Sequence, residues 1–233
     1  MLAPSVRHLV LERADGQPFA FAPGQFIQVH FHYPDGKPTK RSYSVATVGQ
    51  SPVQQLEIAV SYVEGGAATD LLGNLPEGGT IEASGPYGRF CLFDTDTNSR
   101  YLLVGTGTGI TPYRAMLPQL KQVIEQRQVE VCLLFGARLE RELLYDQDFR
   151  DFEHSTPAFR YYACLSRDER ALPRMYDRRG YVQMALEELK PDPARDIAYL
   201  CGNPNMVDQA FTQLKEAGLP VPHIRREKYV SSR

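Results

Sequence analysis

Three stretches of this sequence carry the residue types that chemistry needs. Arg41-Ser42-Tyr43-Ser44 offers a guanidinium, a phenol ring and two hydroxyls. On an extended chain Arg41 and Tyr43 point to one face, Ser42 and Ser44 to the other. A guanidinium grips a pyrophosphate bidentately. Tyr43 can pack on a planar ring or a ribityl chain, and Ser44 can hydrogen-bond a flavin nitrogen. Taken alone, the tetrapeptide also reads as an ordinary edge strand with a surface arginine. The second stretch, Gly105-Thr106-Gly107-Thr108-Gly109-Ile110-Thr111-Pro112, directly follows the apolar run Tyr101-Leu102-Leu103-Val104. Glycines let a ligand's phosphates approach the backbone, and the N-terminus of the helix that follows favours anions. The pattern is Gly-x-Gly-x-Gly, which departs from the Gly-x-Gly-x-x-Gly dinucleotide fingerprint. A plain glycine-rich turn is the alternative. Cys201-Gly202-Asn203-Pro204 ends another apolar strand and opens another helix, at the sheet edge where ligands bind. By itself Cys201 reads as a buried strand-end thiol. In this order the three stretches point to two redox cofactors, a flavin and a nicotinamide dinucleotide.

Further residues extend both sites. Gly65-Gly66-Ala67-Ala68-Thr69 opens a short helix; small residues leave backbone N–H groups accessible, which suits a phosphate. A loop before a helix is the plainer reading. A 2′-phosphate on the nicotinamide cofactor needs cations. Arg138 follows one predicted strand, Ser166-Arg167 ends the next, and Arg174, Arg178 and Arg179 lie downstream. Asp168 and Glu169 come immediately after and oppose that reading. As a cluster the arginines favour NADPH over NADH; singly, each also reads as a solvated surface charge.

Other chemistries find little support. His8, His30, His32, His154 and His223 are scattered, and neither a Ser/His/Asp set nor paired carboxylates stand out. Cys91, Cys132, Cys164 and Cys201 are too far apart for a zinc or iron–sulfur site. Free thiols in a reducing, cytoplasmic compartment are the simplest reading. If electrons leave for an iron–sulfur carrier, that carrier is a separate chain. A net charge of −2 gives no global reason to expect nucleic acid or an acidic membrane as partner. No apolar run reaches the ~20 residues of a membrane span, and the first residues do not read as a signal peptide.

The elements that must position these residues change character along the chain. Of 233 residues, 42% are hydrophobic and 23% charged, enough apolar material for a core. Strands are predicted at 6–12, 26–32, 41–46, 55–63 and 80–84, with a short helix at 67–74. Turns fall at Asp15-Gly16, Pro23-Gly24, Pro34-Asp35-Gly36 and Gly78-Gly79. Gly85-Pro86-Tyr87-Gly88 reads as a closing turn. This is the pattern of a small antiparallel β-barrel, expected over residues 1–96. After a polar linker at 94–100, strands at 101–105, 129–136, 159–166 and 197–201 alternate with helices at 111–127, 143–152, 181–189 and 204–217. Apolar strands between helices predict a doubly wound parallel sheet over residues 97–233.

Together the motifs, with Glu227-Lys228-Tyr229 near the end, resemble the ferredoxin–NADP reductase family of two-domain flavoproteins. The resemblance covers almost the whole chain. It implies an FAD-binding barrel followed by an NAD(P)-binding domain, hydride transfer between NADPH and FAD, and single electrons to or from a separate ferredoxin or flavodoxin. It implies Ser44, Cys201 and Tyr229 as catalytic residues. FAD would be held by Arg41, Tyr43, Ser44, Ala59, Val60, Tyr62, Gly66, Ala67, Ala68, Thr69, Thr111 and Tyr229, the last stacking on the isoalloxazine. NADP would be held by Gly105, Thr106, Gly107, Thr108, Gly109, Arg138, Ser166, Arg167, Arg178, Cys201, Gly202 and Met206. A metal is not expected, and a monomer is. Two alternatives stay open: an NADH-using reductase component of an oxygenase, and a flavin-binding electron-transfer subunit without nicotinamide turnover.

Overall fold

Alternating apolar residues build the first half of the chain. The computed structural model describes residues 1–33, 35–63 and 65–230. Pro34, in the turn expected at 34–36, and the three residues 231–233 lie outside the described residues. Strands β1 (Val6–Glu12) and β4 (Gln55–Ser61) pair antiparallel as one two-stranded sheet. β2 (Phe26–His32) sits between β3 (Pro38–Ser44) and β5 (Glu82–Tyr87) in a second, also antiparallel. Among the described residues a bridge between Val45 and Ile58, with the Ala46 N–H donating to the Glu57 carbonyl at 2.7 Å, links the two sheets. Leu9, Phe21, Val29, Val45, Ile58 and Leu72 form one core between them. The expected barrel is therefore two antiparallel sheets around a shared core. Gly85-Pro86 lies inside β5 rather than in a turn, because β5 stays paired with β2 as far as Tyr87 opposite Phe26.

One short helix, α1 (Ala67–Gly73), interrupts the strands. Its last turn is held from β1. The Arg7 guanidinium donates to the carbonyl oxygens of Leu72 (2.9 Å), Gly73 (2.6 Å) and Leu75 (2.9 Å). A cation there satisfies orphan carbonyls and opposes the negative end of the helix dipole.

The second half is a six-stranded parallel sheet in the order β11-β10-β6-β7-β8-β9. Its strands are β6 (Arg100–Thr106), β7 (Glu130–Ala137), β8 (Phe159–Leu165), β9 (Arg178–Arg179), β10 (Asp196–Gly202) and β11 (Ile224–Lys228). Four helices connect them: α2 (Thr111–Arg127), α3 (Asp146–Ser155), α4 (Val182–Glu188) and α5 (Pro204–Glu216). Every residue of β10 is buried, as a strand with both faces covered requires. At its start Asp196, fully buried, takes a bidentate bond from Arg100 (2.7 and 2.6 Å) and accepts from the Asp192 N–H. By their contacts, Met1–Cys91 and Thr111–Met116 form one unit, and Leu92–Ile110 with Leu117–Val230 the other. No described helix is long and apolar enough to cross a membrane.

Candidate functional site

In the first unit the flavin-type residues cluster at β3. Arg41 lies opposite Val29 on β2. Its guanidinium donates to the Tyr33 hydroxyl (2.8 Å), the Thr39 hydroxyl (3.2 Å) and the Lys40 carbonyl (3.0 Å). It also stands 5.8 and 6.0 Å from the ring centres of Phe31 and Tyr33, close enough for cation–π attraction. Arg41 is thus pre-oriented, and a nearby cation holds the Tyr33 phenol below its usual range. Tyr33 is a residue the sequence reading missed; its signal is a strand-end tyrosine eight positions before the arginine. Tyr43 is half-buried, and desolvation pushes its phenol up to about 12, so it acts as a neutral ring. Ser44 is buried at the end of β3, and Tyr62 is 58% exposed. A held arginine, a neutral half-buried ring and a strand-end hydroxyl on β3, with an exposed tyrosine after β4, are the group types that FAD needs.

Not every expected FAD residue presents its side chain. Ala59 and Val60 are 6% and 3% exposed, and Val60 packs into the barrel core; only their backbone can face a ligand. Thr69 is buried and its hydroxyl accepts from the Val63 N–H at 3.0 Å. It therefore ties Val63 to the start of α1 rather than standing open to a phosphate. Gly66 is tight as well, since an added Cβ would meet the Val63 carbonyl at 3.0 Å. No side chain caps the start of α1, so the N–H groups of Ala67 and Ala68 are left for an anion.

In the second unit two loops interlock at the carboxyl ends of β6 and β10. A single 3-10 turn, Gly107–Ile110, leads from β6 into α2, where Thr111 is buried. Gly109 packs on β10 so closely that a Cβ would lie 2.4 Å from the Cys201 carbonyl oxygen. Gly202, at φ +125°, would clash with the Thr106 carbonyl at 2.5 Å. The Thr106 hydroxyl accepts from the Asn203 N–H at 3.0 Å. Asn203 in turn caps α5, accepting from the N–H groups of Asn205 (2.9 Å) and Met206 (3.3 Å). Only glycine tolerates these approaches. Gly107, at φ +54°, has open space around it, and Thr108 is half-buried beside it. Gly105 and Met206 are buried, and Met206 belongs to the sheet–helix core instead of a ligand-facing surface.

Cys201, Glu227 and Tyr229 meet at this edge. Cys201 is fully buried. Desolvation first, then the Glu227 carboxylate, drives its thiol well above the usual range, with a Tyr229 hydrogen bond opposing. It is a neutral packing thiol, not a nucleophile. The Tyr229 N–H donates to the Gly202 carbonyl at 2.8 Å, fixing the backbone after β11. Glu227 sits directly across from Cys201 in the β10–β11 register. Burial alone pushes its carboxyl up to about 7. No ion pair holds it among the described residues. Nothing in the sequence sets Glu227 apart; its place opposite Cys201 comes from the pairing of β11 with β10.

The arginines separate into held and free. Arg138, Ser166 and Arg167 come together at the ends of β7 and β8: the Arg167 N–H donates to the Arg138 carbonyl (3.0 Å) and the Ser166 hydroxyl to that of Ala137 (3.4 Å). Arg138 is bonded to Glu142 at 2.7 Å. Arg178 is bonded to Glu188 (2.7 Å) and packs 5.5 Å over Tyr162, so it does not join the group. Arg174 and Arg179 pair with Glu153 and Glu169. Arg167 is exposed and has no carboxylate partner among the described residues.

This fold and these sites define a class, a two-cofactor oxidoreductase. The family described as the oxidoreductase FAD-binding domain matches residues 2–91, and the oxidoreductase NAD-binding domain matches residues 103–211. Ferredoxin–NADP reductase B of Sorangium cellulosum is 36% identical over 98% of this chain and 93% of its own length. The chain belongs to the ferredoxin–NADP reductase family and is an FAD-dependent oxidoreductase that uses a nicotinamide dinucleotide. The propane 2-monooxygenase reductase component of Rhodococcus jostii is 29% identical over 91% of this chain, which spans only 56% of that protein. Among solved structures, the cytochrome P450 reductase GcoB of Amycolatopsis superposes with a TM-score of 0.83 at 30% identity, covering 98% of this chain and 66% of that one. A ferredoxin–NADP+ reductase from Neisseria gonorrhoeae with bound FAD and NADP shares the fold, with a TM-score of 0.79 at 21% identity over 97% of this chain and 93% of that one.

Proposed function

We propose that this protein takes hydride from NADPH and delivers single electrons to a separate ferredoxin or flavodoxin, as a cytoplasmic monomer. The observation that carries this reading is the likeness to the Sorangium ferredoxin–NADP reductase, which runs the length of both chains. Bound FAD supplies the conversion between a two-electron donor and one-electron carriers. The chain's own residues bind and orient. Arg41 and the first N–H groups of α1 take the pyrophosphate, Tyr43 and Tyr62 offer ring faces, and Ser44 offers a hydroxyl. Arg167 with Ser166 takes the 2′-phosphate. Gly107 leaves room for the dinucleotide backbone, and Cys201 closes the floor beside Gly202 without carrying charge.

A second reading, an NADH-using reductase of an oxygenase, has one observation in its favour. Glu142 already bonds Arg138, and a carboxylate there repels a 2′-phosphate. Oxidation of NADPH and NADH with ferricyanide as acceptor, followed by reduction of a purified ferredoxin and a purified flavodoxin, separates the two. Strong NADPH preference with turnover of either carrier supports the proposal. NADH preference moves the assignment to the oxygenase reading. A yellow protein inactive with both dinucleotides makes it a non-catalytic flavin subunit.

A further inference from the structure

The turn that carries Ser166 and Arg167 is stitched to the turn after β7 on both sides of the arginine. Two of the stitches are main chain, and any sequence could make them. The Ser166 N–H donates to the Ala137 carbonyl and the Arg167 N–H to that of Arg138, both at 3.0 Å, as the parallel β7–β8 ladder runs on past Ala137 and Leu165. The other two depend on carboxylates. The Glu140 N–H donates to Asp168 Oδ2 at 3.1 Å, and the Ala171 N–H donates back to Glu140 Oε2 at 3.2 Å. Between these anchors the Arg170 side chain, 3% exposed, lies 3.1 Å from Asp146 at the start of α3, 3.0 Å from Asp177 and 3.6 Å from Glu140.

An acidic side chain at a strand end of such a sheet usually accepts from the ribose hydroxyl of an unphosphorylated dinucleotide and repels a 2′-phosphate. Asp168 is engaged differently. Its Oδ1 accepts from the Glu169 N–H at 2.9 Å while Oδ2 takes that of Glu140. The Glu140 and Glu169 N–H groups hold its carboxyl below the usual range. Glu169 is occupied too, by Arg179 at 2.8 Å. Arg167 itself is exposed. An exposed arginine on a loose turn loses backbone and rotamer freedom when it grips an anion, and a turn fixed beforehand removes the backbone share of that loss.

We propose that Asp168, with Glu140, positions Arg167 for the dinucleotide's 2′-phosphate, bracing the turn instead of repelling the anion. This role rests on the reading of Ser166 and Arg167 as the 2′-phosphate grip. Bracing and repulsion predict opposite signs. Losing a brace weakens binding of the phosphate, whereas losing a repelling charge strengthens it. Asp168→Ala removes brace and charge together. Asp168→Asn removes the charge and keeps an acceptor for the Glu140 N–H.

The test titrates the FAD-loaded protein by calorimetry with adenosine 2′,5′-bisphosphate and with AMP, which lacks the 2′-phosphate, and follows NADPH and NADH oxidation with ferricyanide. Asp168→Ala should weaken bisphosphate binding and raise the Michaelis constant for NADPH about fivefold, the order of magnitude for ordering one long side chain and its turn on binding. AMP binding, the Michaelis constant for NADH and both kcat values should hold. Asp168→Asn should stay within about twofold of the parent, because the acceptor remains. Glu140→Ala should reproduce the split, and combining it with Asp168→Ala should cost less than the product of the two, since both open one brace. Tighter bisphosphate binding by Asp168→Ala overturns the proposal, because the carboxylate then repels. An unchanged affinity overturns it as well, as does a loss shared equally by AMP. Arg167→Ala separates the two levels. If it leaves bisphosphate binding unchanged, the phosphate grip is misassigned and the brace falls with it; if it weakens binding while Asp168→Ala does not, the brace alone falls.

Discussion

Replacing Glu227 with glutamine should make the protein more stable at alkaline pH and leave it unchanged at acid pH. The carboxyl is half-buried on β11 opposite Cys201, and no cation offsets its desolvation. Burial raises it from 4.5 to about 7, which corresponds to about 3 kcal/mol between the two protonation states. The sign follows from linkage. Below pH 4.5 the carboxyl is protonated in both folded and unfolded chains, and costs nothing. Between 4.5 and about 7 the unfolded chain ionises first, so stability falls as pH rises. Above about 7 the folded chain carries the full penalty. Glutamine keeps the shape and never ionises. At pH 5 the two proteins should melt together; at pH 8 Glu227→Gln should be more stable by up to about 3 kcal/mol. At about 2–4 °C per kcal/mol, that is a melting difference of up to about 12 °C. Circular dichroism melts at both pH values, with the same excess of FAD, measure it. An equal difference at pH 5 and pH 8 would refute the reasoning, because packing rather than ionisation would then separate the proteins.

Three other outcomes follow from the geometry. Arg167→Ala should raise the Michaelis constant for NADPH about tenfold, the loss of one charged contact, while that for NADH barely moves; parallel changes would sink the 2′-phosphate assignment. Arg7→Leu should lower stability by about 1–2 kcal/mol, because three carbonyls at the end of α1 lose their donor, and should weaken FAD binding; an unchanged urea midpoint would remove Arg7 from that role. Native protein at pH 8 should take up iodoacetamide at Cys91 alone, since burial raises the thiols of Cys132 to about 11, Cys164 to about 12 and Cys201 further still. Modified Cys201 in a peptide map of folded protein would contradict its burial.

How much was legible in the sequence depended on where each element's cause lay. β1, β2 and α2 could be read to the residue. Alternation from Ile27 marks β2, the apolar run Leu9-Val10-Leu11 before the Asp15-Gly16 turn marks β1, and Thr111-Pro112 opens α2 while Gln128, at positive φ, ends it. β11 was missed because Ile224-Arg225-Arg226-Glu227-Lys228 carries one apolar residue. What makes it a strand is the exposed edge of β10, a tertiary cause. β9 is two residues long and has no pattern to read. The same division runs through the site. The glycine turn, Arg41 and Cys201 announce themselves by type and position. That Thr69 bonds Val63, that Met206 is core, and that Arg178 belongs to Glu188 are decided by neighbours that only folding supplies. Arg138 with Glu142 is the exception: a spacing of four was visible.

Gly109 against the Cys201 carbonyl, and Gly202 against that of Thr106, make two distant stretches of chain one mechanical part. The hydrogen bond that laces them joins residues 97 positions apart. Neither loop can gain a side chain without displacing the other's backbone. Attempts to exchange cofactor preference with a relative by grafting one loop should therefore fail where transplanting the pair succeeds, and over evolutionary time the two loops should drift together or not at all.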